Sequence, residues 1–245
     1  MFRLRSWSLL LVLALLSACN FTEEIYLKDN GSGKISINFD GSEMMGMLGE
    51  EMMKSEEKAI DSTISFRTFL EEKKDSIATL SEENQANLKK LEPFELHMLM
   101  NPDTQEMKFD LYRDFQSINE ITDIFKAFQD ASSIGPGAKK KNPPSKINNQ
   151  ATEIDYSFKA NTFKRTARIV DSVLQQQSID SLAGAEMFLS GSTYKLKYHF
   201  PRRVKSSSAE AATFSADGKT LYYEVDFLSY MKNPDTLNIE VELED

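Results

Sequence analysis

The sequence predicts an α+β fold: an antiparallel sheet with helices packed on one face, either continuous or divided into two related lobes. Three observations lead there. Apolar and polar residues alternate along several short segments, the pattern of strands with one buried face. Other segments carry apolar residues at helical spacing, and clusters of Asn, Asp, Gly and Pro separate the two kinds. The composition agrees, since 245 residues at 40% hydrophobic, 10% aromatic and 27% charged describe a globular chain, not a collagen-like, wholly disordered or multi-span membrane protein. A chain of this length buries roughly 70% of its unfolded surface and needs no disulfide or metal to fold.

Alternation begins with Ile25 and Leu27, passes through the turn Asp29-Asn30-Gly31-Ser32-Gly33, and resumes with Ile35, Ile37 and Phe39, which reads as a β-hairpin. From Glu43 to Lys54 the residues Met44, Met45, Met47, Leu48 and Met52 share one broad helical face, loosened by Gly46 and Gly49. A short strand over Thr63 to Arg67 precedes a helix in which Thr68 and Glu71 have capping-box spacing, and Ser81 stands where it can cap a second helix ending before Pro93. Phe94, Leu96, Met98 and Met100, the turn Asn101-Pro102-Asp103-Thr104, then Met107, Phe109 and Leu111 form a second hairpin. Ile118, Ile121, Phe125 and Phe128 recur as in a helix of about three turns.

From Ala131 to Gln150 periodicity gives way to Gly, Pro, Lys, Asn and Ser. This basic stretch is a linker or a long surface loop, between an N-terminal α+β lobe (19–130) and a C-terminal β-rich lobe (151–245). The second half opens with strands around Ile154 to Phe158 and Phe163 to Val170, followed by a helix between Asp171 and Leu189. Three alternating strands close the chain, with Tyr194 to Phe200, Leu221 to Phe227 and Leu237 to Leu243 each placing apolar residues on one face. Lys195 and Lys197 suit cross-strand pairing with Glu240 and Glu242 if those strands are neighbours. The repeated Asn-Pro-Asp-Thr at 101–104 and 233–236 reads as shared turn chemistry rather than duplication.

The amino terminus carries an address. Arg3 and Arg5 precede an unbroken apolar run from Leu9 to Leu16, too short to span a bilayer. Leu16-Ser17-Ala18-Cys19 follows and resembles the lipobox of bacterial lipoproteins. That resemblance implies a signal peptide over 1–18, recognition by its peptidase through Leu16, Ser17 and Ala18, and a diacylglyceryl group on Cys19. A single acyl chain attaches reversibly at about 0.8 kcal/mol per buried CH₂, whereas two or three hold firmly. Cys19 is the only cysteine, so its alkylation leaves no disulfide, thiol nucleophile or thiolate metal site. Loss of Arg3 and Arg5 takes the formal charge from −9 to −11, which argues against nucleic acid as a partner. Asn20, where inner-membrane retention signals carry Asp, favours the outer membrane. Glu23-Glu24 resembles the export tether of surface lipoproteins of the Bacteroidota, although the two acids also suit the start of a strand.

No motif nominates an enzyme. His97 and His199 are the only histidines, both on polar strand faces, and no nucleophile elbow, phosphate-binding Gly loop, HExxH or EF-hand pattern occurs. Carboxylate pairs such as Glu50-Glu51 and Glu71-Glu72 read as solvated helix surface, and no cofactor is expected. The methionine cluster has three readings: an adaptable core face, a soft Cu(I) site without supporting His or Cys, or the lining of a pocket for an apolar ligand. Under the last, Met44, Met45, Met47, Leu48 and Met52 are the lining residues. Lys139, Lys140, Lys141 and Lys146 suit a solvated loop or contact with anionic headgroups. Asp61-Ser62-Thr63, Asp75-Ser76-Ile77, Asp171-Ser172-Val173, Asp180-Ser181-Leu182 and Asp235-Thr236-Leu237 resemble O-glycosylation sites of Bacteroidota envelope proteins, and Asp and Ser also cap helices.

The lipobox, the Asn30-Gly31-Ser32-Gly33 hairpin, the stretch Phe94 to Phe128, and Tyr194 to Phe200 followed by Asp217-Gly218-Lys219 together resemble an uncharacterised lipoprotein family of the Bacteroidota. The Gly-Ser-Gly hairpin and the strand ending in Phe200-Pro201 are also similar to a mycobacterial lipoprotein domain that binds phosphatidylinositol mannosides. The expected function is a lipid-anchored envelope module that binds or interacts without catalysis, its partners being the membrane through the anchor and an envelope protein or lipid. Carriage of a lipid or other apolar ligand is the alternative, and an envelope hydrolase the third reading.

Overall fold

A computed structural model of the chain describes residues 19–43, 45, 59–79, 82–121, 123, 124, 126, 127, 151–182 and 186–245. The strands are β1 (Asn20–Leu27), β2 (Gly33–Asp40), β3 (Ile60–Ser65), β4 (Glu95–Asn101), β5 (Glu106–Phe115), β6 (Thr152–Lys159), β7 (Thr162–Ile169), β8 (Thr193–His199), β9 (Val204–Ser207), β10 (Thr213–Phe214), β11 (Thr220–Asp226) and β12 (Ile239–Leu243). The helices are α1 (Phe66–Glu72), α2 (Lys74–Ile77), α3 (Glu82–Lys89), α4 (Ser172–Leu182), α5 (Glu186–Leu189) and α6 (Phe227–Lys232). The α+β composition is as expected, but the strands form two sheets: eight in the order β10-β11-β8-β1-β2-β5-β4-β3 and four in the order β6-β7-β12-β9. The apolar sides of the two meet in one core, so the large sheet's inner face is covered by a second sheet as well as by helices.

The large sheet crosses the 131–150 stretch. β1 pairs antiparallel with β2 and parallel with β8, with Asn20 opposite both Asp40 and Thr193. That stretch therefore does not divide the strands into separate lobes, and the sheet is not wholly antiparallel. The two Asn-Pro-Asp-Thr segments also part company, the first turning the β4–β5 hairpin and the second forming a 3₁₀ turn (Pro234–Leu237) ahead of β12.

Local chemistry explains the elements that match. In the β1–β2 turn Gly31 takes φ +80°, which L side chains adopt only with strain. Asn30 Oδ1 accepts from the Ser32 N–H (3.1 Å) and hydroxyl (2.8 Å), the Asx-turn habit of asparagine. Elsewhere tertiary contacts prevail over local signals. α1 begins at Phe66 with Ser65 in the N-cap position and no side-chain cap bond, so Thr68 lies within the helix and forms no capping box. Packing of Phe66 (2% exposed) into the core sets that start. The helix expected from Ile118 opens as a 3₁₀ turn, Ile118–Glu120, and the chain is extended at Ile121 before helical positions resume at Ile124. Lys195 and Lys197 do not meet Glu240 and Glu242, because β8 lies between β11 and β1. Lys195 pairs with Glu224 (2.7 Å) and Lys197 with Glu24 (2.8 Å), while Glu240 pairs with Lys164 and Glu242 with Lys205.

A charged cluster sits where the two sheets meet. Glu23 of β1 and Arg165 of β7 are 0% and 1% exposed. The guanidinium donates from Nε to Oε1 and from Nη2 to Oε2, both at 3.2 Å, and from Nη1 to the Leu237 carbonyl at 3.2 Å. Tyr156 and Tyr194 donate their hydroxyls to the same carboxylate at 2.8 and 2.9 Å, and Tyr198 donates a further short bond. Burial alone raises the Glu23 pKa, but Arg165 and the hydroxyls outweigh it and hold the carboxyl below its ordinary range.

Removing one partner of such a pair strands a buried charge, at about 3–5 kcal/mol. Arg165→Met is expected to lower unfolding free energy by that amount in a denaturant titration, and an effect near zero would show that the pair does not hold the sheets together. Because the folded carboxyl is held low, its contribution is complete above the unfolded value of about 4.3. It is lost as pH falls below that point through the depressed folded value, so Glu23→Gln should give a shallower acid limb.

Candidate functional site

β1 presents adjacent glutamates to opposite faces. Glu23 points into the core, while Glu24 lies on the polar face of the large sheet, where it gathers three neighbours at one oxygen. Tyr26 Oη, Lys197 Nζ and His199 Nε2 each lie 2.8 Å from Glu24 Oε1. Burial raises the Glu24 pKa, but the bonds from Lys197, His199 and Tyr26 prevail and lower it. The carboxylate only accepts, so Nε2 carries a proton, and in the neutral ring Nδ1 accepts from Thr220 Oγ1 at 3.0 Å. Tyr26 stacks on the His199 ring with centroids 4.0 Å apart and planes 7° from parallel, leaving the tyrosine 48% exposed.

Two clefts flank this row. One, of about 750 Å³, includes Glu24, Asn38, Lys195, Lys197, Tyr222 and Glu224 in its lining. The other, of about 540 Å³, lies toward the β1–β2 turn and includes Tyr26, Lys34, Asp114 and His199. Farther across the same face His97 Nε2 is 2.9 Å from Asp61 Oδ1. Asp110 Oδ1 is buried without a hydrogen-bond partner among the described residues, and burial, partly offset by Lys34, raises the Asp110 pKa.

Thr220, His199 and Glu24 stand in the order hydroxyl, imidazole, carboxylate, which is the logic of an activated nucleophile. Their surroundings differ from an active site. Thr220 is 8% exposed, and its own N–H, a donor that an oxyanion could use, goes to Ser215 Oγ at 2.9 Å. The geometry suits a fixed polar network that aligns β1, β8 and β11. Among the described residues no group of three or more His, Cys, Asp or Glu is placed to hold a metal ion.

Cys19 stands immediately before β1 and is 4% exposed. Burial raises its thiol pKa; a backbone hydrogen bond offsets part of this, and the nearby charges of Glu43 and Asp40 add to it. Leu16, Ser17 and Ala18 lie outside the described residues, as do Met44, Met47, Leu48, Met52 and Lys139, Lys140, Lys141 and Lys146. Met45 is described, is 3% exposed, and lines neither cleft. A more apolar groove of about 500 Å³ lies instead among α1, α2 and α3, lined by Leu70, Ile77, Ala78, Ala86 and Leu88 with Arg67, Lys74 and Lys89 among the polar lining residues. Glu23 and Glu24 are structural, since a fully buried Glu23 cannot serve as part of an exposed acidic tether. Arg202 is held by Asp29 and Asn161. Asp171 caps α4 by accepting from the Val173 and Leu174 N–H groups. Ser181 and Thr236 donate to backbone carbonyls, whereas Ser62, Ser76 and Ser172 are exposed.

No family model matches the chain, and no curated protein matches it. Among solved structures it is similar to the NMR structure of the folded domain of the Mycobacterium tuberculosis LppM protein, at a TM-score of 0.36 and 7% identity over 92% of this chain and 89% of that one. Likeness at that level carries no functional argument. Among the described residues no helix is long and apolar enough to cross a membrane.

The two glutamates provide an internal comparison. Glu24 lies at a solvent-accessible face, so Glu24→Ala is expected to lower stability by about 1 kcal/mol, well below the effect of Glu23→Ala in the same titration. Equal losses would show that the polar-face network is as tightly built as the buried one.

Proposed function

We propose that this chain is a lipid-anchored envelope protein, held at the outer membrane through a diacylglyceryl group on Cys19, whose body binds a partner without catalysis. The observation that carries this reading is Leu16-Ser17-Ala18-Cys19 after a short apolar run, with the cysteine one residue ahead of a central strand. The anchor would thus attach directly to the folded body. The polar face supports binding over catalysis, because the Thr220–His199–Glu24 row is closed at Thr220 while the clefts beside it are open. The resemblance to Bacteroidota lipoproteins belongs to this proposal. Wild type is expected in the membrane fraction and Cys19→Ala in the soluble envelope fraction. Intact mass of the native protein should match a chain beginning at lipid-modified Cys19; a bare thiol there would overturn the reading.

Carriage of an apolar ligand is the second reading, and the groove among α1, α2 and α3 favours it. Its volume falls within the roughly 300–1,000 Å³ common for ligand sites, and Leu70, Ile77 and Leu88 supply apolar lining. Native mass spectrometry of the soluble body should then show a co-purifying lipid that Leu70→Glu removes. An empty wild-type protein would sink this reading and leave the anchor untouched.

A further inference from the structure

The stacked sheets place an apolar corner at the end of the body where β1 begins. Arg165 of β7 meets Glu23 of β1, and Phe163 packs edge-on against Tyr198 with centroids 5.3 Å apart, level with Ile25. β7 therefore runs opposite to β1. Four residues lead from Arg165 to Ile169 and four from Glu23 back to Cys19, about 13 Å in either strand, so Ile169 and Cys19 lie at one end. α4, which follows β7, is tied to the same end. Gln175 Nε2 donates to the Met231 carbonyl of α6 at 2.7 Å, and Tyr230 of α6 packs on Tyr194, which is level with Phe21.

The corner between β7 and α4 leaves Ile169, Val170 and Val173 exposed at 43%, 52% and 66%. Ile169 shares strand parity with buried Phe163 and Ala167, so here the core face runs out into water. Ile60 is at the same end by register, because Asn20, Asp40, Lys108, Leu99 and Asp61 form one row across the large sheet. These four stand out among the large apolar side chains exposed in the described residues, since the others, Tyr26 and Phe214, lie toward the opposite end.

We infer that the β7–α4 corner is a second membrane contact, through which Ile169, Val170 and Val173 enter the interfacial region of the bilayer that holds the anchor. This rests on the lipid-anchored reading above. Asn20 is already paired on both sides, so an anchor on Cys19 brings this end, and no other, against the lipid. Single exposed apolar residues are ordinary, but three within five positions at the anchored end form a patch with a bilayer at hand. The strength of such a contact follows the apolar area buried, and three side chains alone bind weakly. The anchor makes the contact intramolecular, where a weak interaction suffices. Charge contributes little at the corner: Arg168 is paired with Glu153 and Asp155, and Asp171 is engaged in capping α4. The contact is therefore apolar and suits zwitterionic lipid. Two attachment points stop the body from rolling about its anchor, and the cleft beside the β1–β2 turn faces away from the bilayer.

The test uses the protein purified from its own membranes and reconstituted in phosphatidylcholine vesicles whose acyl chains carry a nitroxide. A fluorophore on Val173→Cys is expected to be quenched several-fold more strongly than one on Phe214→Cys. Adding Val170→Asp should bring the quenching at 173 down to the level at 214, with a thermal midpoint close to wild type because position 170 is exposed. Equal quenching at 173 and 214 without that change overturns the contact. So does protection of the 173 label that appears only in native membranes, which would assign the corner to a protein partner. Quenching at 173 that survives Val170→Asp also overturns it, since the tether alone would then account for the signal. Intact mass of the same samples separates the two readings. Lipid on Cys19 without selective quenching at 173 removes this contact and leaves the anchor, whereas a bare thiol removes the anchor and the contact with it.

Discussion

A buried ion pair joins the two sheets. Glu23 comes from the first strand and Arg165 from the seventh, 142 residues apart, and five donors converge on one carboxylate. In a low-dielectric interior an isolated carboxylate is untenable, and a guanidinium with only partial hydrogen bonding scarcely less so. Each is acceptable because the other is in place and the tyrosine hydroxyls use the remaining lone pairs. The arrangement thus specifies register: a β1 shifted by one residue would turn Glu23, Ile25 and Leu27 to the polar face and bring Thr22 or Glu24 into the place of Glu23.

β1 accordingly does more than any other strand. It lies between β2 and β8, ties the two halves of the chain into one sheet, sends Glu23 inward and Glu24 outward, and begins next to Cys19. The two glutamates show how strand parity turns identical side chains to different uses. On the inner face the carboxylate is closed off from water and fixes a sheet-to-sheet contact. On the outer face it orders Lys197, His199 and Tyr26 beside two open clefts. The proposed anchor is continuous with this strand, and a body so attached stays within its own length of the bilayer.

Much of this was legible in residue order. The hairpins at Asn30-Gly31 and Asn101-Pro102 follow from turn chemistry and alternation, and the strands around Tyr194, Leu221 and Val241 from alternation alone. Part of the buried pair was visible too. Glu23 shares parity with Ile25 and Leu27, and Arg165 with Phe163 and Ala167, so each is a charge at an apolar position. Opposite charges breaking the pattern in two strands are a signal for a buried pair, and reading Glu23-Glu24 as one acidic unit concealed it. The capping-box spacing at Thr68 misled because burial of Phe66 starts the helix earlier. The apolar groove among α1, α2 and α3 had no marker, since it depends on how three short helices meet.

The sequence by itself determined the local elements and supplied Leu16-Ser17-Ala18-Cys19, the lipobox-like motif on which the proposed anchor rests, because turns, alternation and short motifs depend on neighbouring residues. Only the tertiary structure decided that β1 lies parallel to β8, that Lys197 meets Glu24 instead of Glu242, and that Glu23 meets Arg165. Strand order and sheet stacking are set by the summed burial of distant side chains, and no short-range pattern encodes that sum.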